Sequence, residues 1–200
     1  MTATVQPRQA AFLILAGMMT LGFTDNLLPF ISHDSSLWQF HFIRSSFVLS
    51  ALIVASGLGA GTLWPRRPLA VFGRSLFQAG ALLIYFGCIA IMPIGVVIAG
   101  LFTAPLFVLI ISVIFQGKSV GPVRWLAVGL GFLGALLVIR PDPSALDPIA
   151  FLPVFAGLLY AIGAIATRAW CEGEQTLTLT AWFFGLLMLF GGIGLCGLPG

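Results

Sequence analysis

Asp25, Arg44, Tyr85, Thr103 and Tyr160 are polar or ionisable side chains set inside stretches that are otherwise nearly all hydrocarbon. An ionisable group at such depth is costly unless it is paired or faces a water-filled path, so each is a candidate for function. Asp25 lies six residues, about 9 Å, before the end of one apolar stretch, and Arg44 lies seven residues, about 10 Å, after the start of the next. Two antiparallel helices would hold this acid and base at similar depth. An Asp25–Arg44 pair, with Asn26 and Gln39 completing its hydrogen bonds, would line a polar pathway. The same spacing also suits a structural ion pair, or an Arg44 that snorkels to lipid headgroups. Tyr85, Thr103 and Tyr160 each fall roughly 12 to 16 Å from one end of their stretch, near the middle of a membrane. Hydroxyls at that depth serve either a substrate cavity or hydrogen bonds between helices.

No enzymic constellation accompanies these residues. His33 and His41 lack the spacing of a metal site or a nucleophile partner and read as interfacial polar residues. Cys88, Cys171 and Cys196 are odd in number and show no ligand spacing, so they read as packed or idle thiols. Neither a metal nor a cofactor is expected. Gly129-Leu-Gly131-Phe-Leu-Gly134 and Gly192-Ile-Gly194-Leu-Cys-Gly197 match the GxGxxG pattern of dinucleotide sites, but neither follows a soluble strand or opens a strand-helix-strand unit. Inside a membrane span, such small residues let helix backbones approach closely.

The elements that must position these groups follow from composition. The chain is 60% hydrophobic and 8% charged, with a mean hydropathy of +1.11. Windows of about 20 apolar residues, long enough to cross roughly 30 Å of hydrocarbon, recur throughout. Seven spans are expected: Ala10 to Ile31, Leu37 to Gly57, Ser75 to Met92, Gly95 to Phe115, Trp125 to Ile139, Ile149 to Thr167 and Thr178 to Gly197. The first reads as an uncleaved span rather than a signal peptide. All should be helical, because an open sheet would leave backbone groups unpaired in lipid and the alternation of a membrane barrel is absent.

The net charge of +3 comes from nine basic residues scattered among apolar runs, which form no nucleic-acid face. They read as topology signals. Arg8, Arg66, Arg67, Arg74, Lys118, Arg124 and Arg168 fall on one side and Arg44 and Arg140 on the other, which orients the N-terminus to the cytoplasm. Pro93 closes a span and, with Ile94 and Gly95, allows only a tight hairpin. Pro105 sits ten residues into its span. It supplies no N–H to the carbonyl one turn back, around Leu101, and should kink the helix onto a cavity.

The segment from Ala79 to Pro141, through FGCIAIMPIGVVIAGLFTAPLFVLIISVIF and GKSVGPVRWLAVGLGFLGALLVIRP, resembles the EamA-type transporters of the drug/metabolite transporter superfamily. The order is similar: a two-helix hairpin, a proline in the fourth helix, a short basic loop and a glycine-rich fifth helix ending in Arg-Pro. Arg44 occupies a place where these proteins commonly carry an arginine, and Asp25 one where an acid is often found. The resemblance implies inverted five-helix repeats in an all-α integral membrane protein. Residues 9–141 would be a first repeat and residues 147–200 the first two helices of a second, truncated here. The loop departs from the family: Gly117-Lys118-Ser119 puts a base where a glutamate is usual.

The resemblance implies a secondary transporter of a small organic metabolite in a bacterial cytoplasmic membrane, working by alternating access. The expected partners are that metabolite and the lipid bilayer, with no nucleic acid. A homodimer is one way to complete so short a bundle. A seven-helix receptor matches the span count but not an N-terminus on the cytoplasmic side, and the sole lysine, Lys118, lies in a loop where it cannot hold a retinal. A structural bundle without transport of its own is the other alternative. The expected substrate pathway comprises Asp25, Asn26, Arg44, Tyr85, Thr103, Pro105 and Tyr160.

Overall fold

The computed structural model describes Leu15, Met19 and residues 36–117, 119–139 and 148–197. Apart from Leu15 and Met19, the expected first span, with Asp25 and Asn26, lies outside the described residues, as do His33, Lys118 and Arg140. The described secondary structure is helical, with no strand among the described residues. In chain order it comprises α1 (Leu37–Gly57), α2 (Pro68–Ile91), α3 (Ile94–Phe102), α4 (Ala104–Ile114), α5 (Pro122–Ile139), a 3-10 turn (Pro148–Phe151), α6 (Leu152–Trp170) and α7 (Thr176–Gly197).

Among the described residues, five segments are long and apolar enough to cross a membrane: α1, α2, α3 with α4 taken together, α6 and α7. The bounds expected for α1 hold as given. α2 begins seven residues before Ser75, at Pro68, whose missing N–H costs nothing at the first helical position. α5 also starts early, at Pro122, so its 18 residues reach about 27 Å rather than the 22 Å expected.

Proline sets the punctuation. After α2, the extended Met92 and Pro93 make a two-residue turn, and the Val96 amide donates to the Pro93 carbonyl at 2.9 Å to begin α3. α3 then ends at Phe102. Thr103 bonds back three residues instead of four, its amide reaching the Gly100 carbonyl at 3.1 Å, and α4 starts with Pro105 in its first turn. The break arises because Pro105 cannot donate to Leu101 and its ring crowds that turn. Gly173, at φ +82°, turns the chain between α6 and α7, a left-handed conformation that glycine adopts without steric cost.

α6 is the central post. It packs against α2, α3 and α4, while α7 packs against α1 and α2. Small residues mark the closest approaches. A Cβ on Gly163 of α6 would lie 2.6 Å from Gln78 Cγ of α2, and one on Gly191 of α7 would lie 2.8 Å from the Phe42 amide of α1. Lipid offers no hydrophobic gain for bringing helices together, so this close contact supplies the attraction. Ala79, Leu186 and Leu187 form a buried cluster between α2 and α7, flanked by Leu82, Leu83 and Phe183.

The two glycine patterns separate. Gly194 of the second packs onto the Trp38 indole, whereas Gly129, Gly131 and Gly134 of the first meet no described atom within 4 Å. Close approach, expected for both, holds only for the second: α5 touches α3 and α4 but turns its glycines away from them. Large apolar side chains such as Phe47, Leu69, Phe102, Leu137 and Leu189 are exposed. That outer surface is suited to hydrocarbon rather than water.

Candidate functional site

The helix break carries the first grouping. The Thr103 hydroxyl donates to the Gly100 carbonyl at 2.5 Å, taking up an acceptor in the interrupted turn. Thr103 is buried, and its hydroxyl would lie 2.7 Å from a Cβ on Gly157, so it faces the α3–α6 contact. Pro105, two residues on, points elsewhere. It lines a cavity of about 680 Å³ between α4, α5 and α6, together with Ser112, Ser119, Arg124, Tyr160 and Arg168. Pro105 and Tyr160 thus share one cavity, and Thr103 shapes the wall behind it. The volume falls in the range of small-molecule sites, roughly 300–1,000 Å³.

Arg124 and Arg168 had only a topological meaning in the sequence. Their convergence depends on the start of α5 lying near the end of α6, a tertiary fact that no local spacing announces. Ser112 was hidden for the same reason, being one hydroxyl in the apolar run LFVLIISVIF.

Arg44 carries the second grouping. Its guanidinium carbon lies 5.6 Å from the ring centre of Phe184, 5.9 Å from Phe40 and 6.0 Å from Phe86, rings contributed by α7, α1 and α2. Each contact of this kind is worth about 0.5–2 kcal/mol, more as water is excluded. The cation is therefore stabilised by aromatic faces within the bundle. Tyr85 joins the edge of this grouping, its ring 5.3 Å from that of Phe86. Gln39 is exposed.

His41 departs from its expected interfacial place. It is fully buried, edge-on to Phe40 at 5.4 Å and Phe86 at 5.1 Å, because α1 turns that face towards α2. Neither its ring nitrogens nor the buried hydroxyls of Ser45 and Ser75 find a hydrogen-bond partner among the described residues. Such groups are rare in folded proteins and are destabilising when nothing satisfies them.

A third grouping ties one end of the bundle together. The Gln175 carboxamide oxygen accepts from the Thr62 amide at 2.8 Å, and the Thr178 hydroxyl donates to the Thr62 carbonyl at 2.6 Å. Glu174 accepts from the Arg67 amide at 2.7 Å. About two turns into α2, Arg74 donates to the Thr167 hydroxyl at 2.8 Å and to the Leu179 carbonyl at 3.0 Å, joining α6 and α7. The loop after α1 and the loop after α6 are latched across the bundle end. Beside them, burial pushes the Cys171 thiol above its ordinary pKa. No group of three or more His, Cys, Asp or Glu that could hold a metal occurs among the described residues.

Comparison with known proteins gives a consistent result. The chain is 30% identical over 169 residues to a riboflavin transporter of Rhizobium johnstonii, covering 84% of this chain and 55% of that protein. It is 28% identical over 114 residues to a riboflavin transporter of Brucella anthropi, covering 57% and 40%. An S-adenosylmethionine uptake transporter of Rickettsia bellii is 26% identical over 153 residues, covering 74% and 50%. The chain thus spans about half the length of these relatives. No solved structure matches it. Residues 8–140, two thirds of the chain and including the interrupted helix and Arg44, match one family along their whole extent, and the protein belongs to the EamA-like transporter family.

Proposed function

We propose that this chain forms part of a secondary transporter that carries a small organic metabolite across a bacterial cytoplasmic membrane by alternating access. The observation that carries the reading is the helix interrupted at Thr103, with Pro105 and Tyr160 lining one cavity beside the break. In lipid, irregular backbone is tolerable only where protein or a water-filled cavity covers it, and transporters build their sites at such interruptions. Residues 9–141 act as one five-helix repeat and residues 147–200 open a second. The extent of the family match, 8–140, supports that division. The N-terminus is cytoplasmic, which puts the latched loops on the cytoplasmic side. The latch supports a conformation closed there, and transport requires its bonds to break and re-form. A second copy would complete the bundle if these 200 residues act alone.

Riboflavin or a similar planar ring compound is the substrate we favour. The names of two relatives support it, and the cavity supplies an aromatic side chain, hydroxyls and an apolar wall. S-adenosylmethionine carries a sulfonium cation, which the two arginines lining the cavity would repel.

Uptake of radiolabelled riboflavin into proteoliposomes preloaded with unlabelled riboflavin tests the reading. Counterflow above that of protein-free vesicles, lowered but not abolished in Tyr160→Ala, is expected. Counterflow equal to the protein-free background would leave a membrane bundle without transport of its own.

A further inference from the structure

The cavity between α4, α5 and α6 is charged at one end. Arg124, in the first turn of α5, and Arg168, in the last turn of α6, both line it, and no carboxylate is among the described residues that do. Two like charges facing one space repel each other unless an anion lies between them. Ser112 and Ser119 add hydroxyl donors to the lining, and α5 contributes the positive end of its dipole near Arg124. Tyr160 lies two turns from Arg168 along α6, about 12 Å, and presents an aromatic ring to the same space. The cavity thus has an apolar, aromatic portion and a cationic end separated by the length of a small linker.

We infer that this cavity holds an oxyanion, a phosphate above all, with Arg124 and Arg168 as its ligands, on a molecule whose planar or apolar body extends to Tyr160. Arginine suits this role because its planar fork donates two parallel bonds to a phosphate. This ligand class deepens the substrate reading given above and rests on the same cavity. The phosphate chemistry has two sources: a soluble aromatic phosphomonoester in the pathway, or the headgroup of an anionic phospholipid entering from the bilayer.

Riboflavin and riboflavin monophosphate differ by that one group and serve as probes. Binding is followed by flavin fluorescence with the 200-residue protein in nanodiscs, first of phosphatidylcholine alone and then with phosphatidylglycerol added. The phosphate ester should bind about tenfold more tightly than riboflavin, an advantage that shrinks with added salt. Arg124→Gln and Arg168→Gln should each lower the affinity of the ester about three- to tenfold, a larger loss than either causes for riboflavin. Arg168→Lys should retain part of the advantage and report on folding. Binding of the ester unaffected by phosphatidylglycerol assigns the site to a soluble ligand. Displacement by phosphatidylglycerol that vanishes in the double glutamine variant assigns it to lipid, and either result upholds the oxyanion site. Equal affinity for both flavins, or an ester indifferent to both arginine substitutions, overturns it while leaving the cavity as a neutral substrate site. Failure of both flavins to bind overturns the cavity reading as well.

Discussion

Replacing Gly100 by alanine should loosen the contact on which the interrupted helix depends. A Cβ there would press on the Pro153 ring and lie 2.6 Å from the Pro153 carbonyl carbon and 2.8 Å from the Val154 nitrogen. Ordinary contact begins at 3.4 Å, and the neighbours are backbone, so α3 and α6 must part by about 0.8 Å. Overpacking of this kind costs about 1–3 kcal/mol. Alanine's better helix propensity returns about 0.8–1.0 kcal/mol, leaving a net loss of about 0–2 kcal/mol, against the gain expected at an open position. Gly157→Ala should act similarly, since its Cβ would lie 2.7 Å from the Thr103 hydroxyl and 2.8 Å from the Gly100 carbonyl. Thr103→Ala should relieve part of that second clash, so the Gly157/Thr103 double variant should be less destabilised than the two singles summed. Gly134→Ala is the control: nothing among the described residues lies within 4 Å of it, so it should be neutral or stabilising by up to about 1 kcal/mol. Unfolding of the reconstituted protein by titrated denaturing detergent ranks the variants. Equal stability of Gly100→Ala and Gly134→Ala would refute the close α3–α6 packing.

Three further outcomes follow from other groupings. Ser75→Ala should raise stability by about 1 kcal/mol in the same assay, because it removes a buried hydroxyl with no partner among the described residues. Removing the latch with Gln175→Ala should speed maleimide labelling of the buried Cys171 about two- to fivefold, the effect of losing one exposed hydrogen bond. Because burial raises the Cys171 pKa, its labelling in the intact protein should be slow at neutral pH. It should keep accelerating above the pH at which an ordinary thiol levels off. Arg44→Met should lose the ring contacts to Phe40, Phe86 and Phe184 and destabilise the bundle by about 1–2 kcal/mol, read from the same titration.

What could be read from the sequence was what depends on local chemistry. Leu37–Gly57 is bounded by its own hydropathy, the turn at Pro93 follows from proline's geometry, and a helix carrying Pro105 at its middle has to break near Thr103. What depends on which faces meet could not be read. His41 looked peripheral by position along its span, yet α1 rotates it into contact with Phe86. Gly129, Gly131 and Gly134 share a pattern with Gly192, Gly194 and Gly197, but among the described residues only the second has a bulky neighbour, Trp38, against it. Arg124 and Arg168 are 44 positions apart and come to one cavity only through the packing of α4 on α6 and of α5 on α4. Thr103 and Pro105, two residues apart, divide their roles because helical positions two apart point in nearly opposite directions: one faces Gly157, the other the cavity.

Substrate protection at Tyr160 tests the central claim most directly. A single cysteine in place of Tyr160, with Cys88, Cys171 and Cys196 replaced by serine or alanine, is labelled in membrane vesicles with a water-soluble methanethiosulfonate, with and without riboflavin. If the cavity beside the broken helix is the transport path, the reagent reaches position 160 and riboflavin slows the labelling, while a control cysteine at the exposed, apolar Phe47 position stays unlabelled. Labelling at position 160 that is absent, or unchanged by riboflavin, would contradict it.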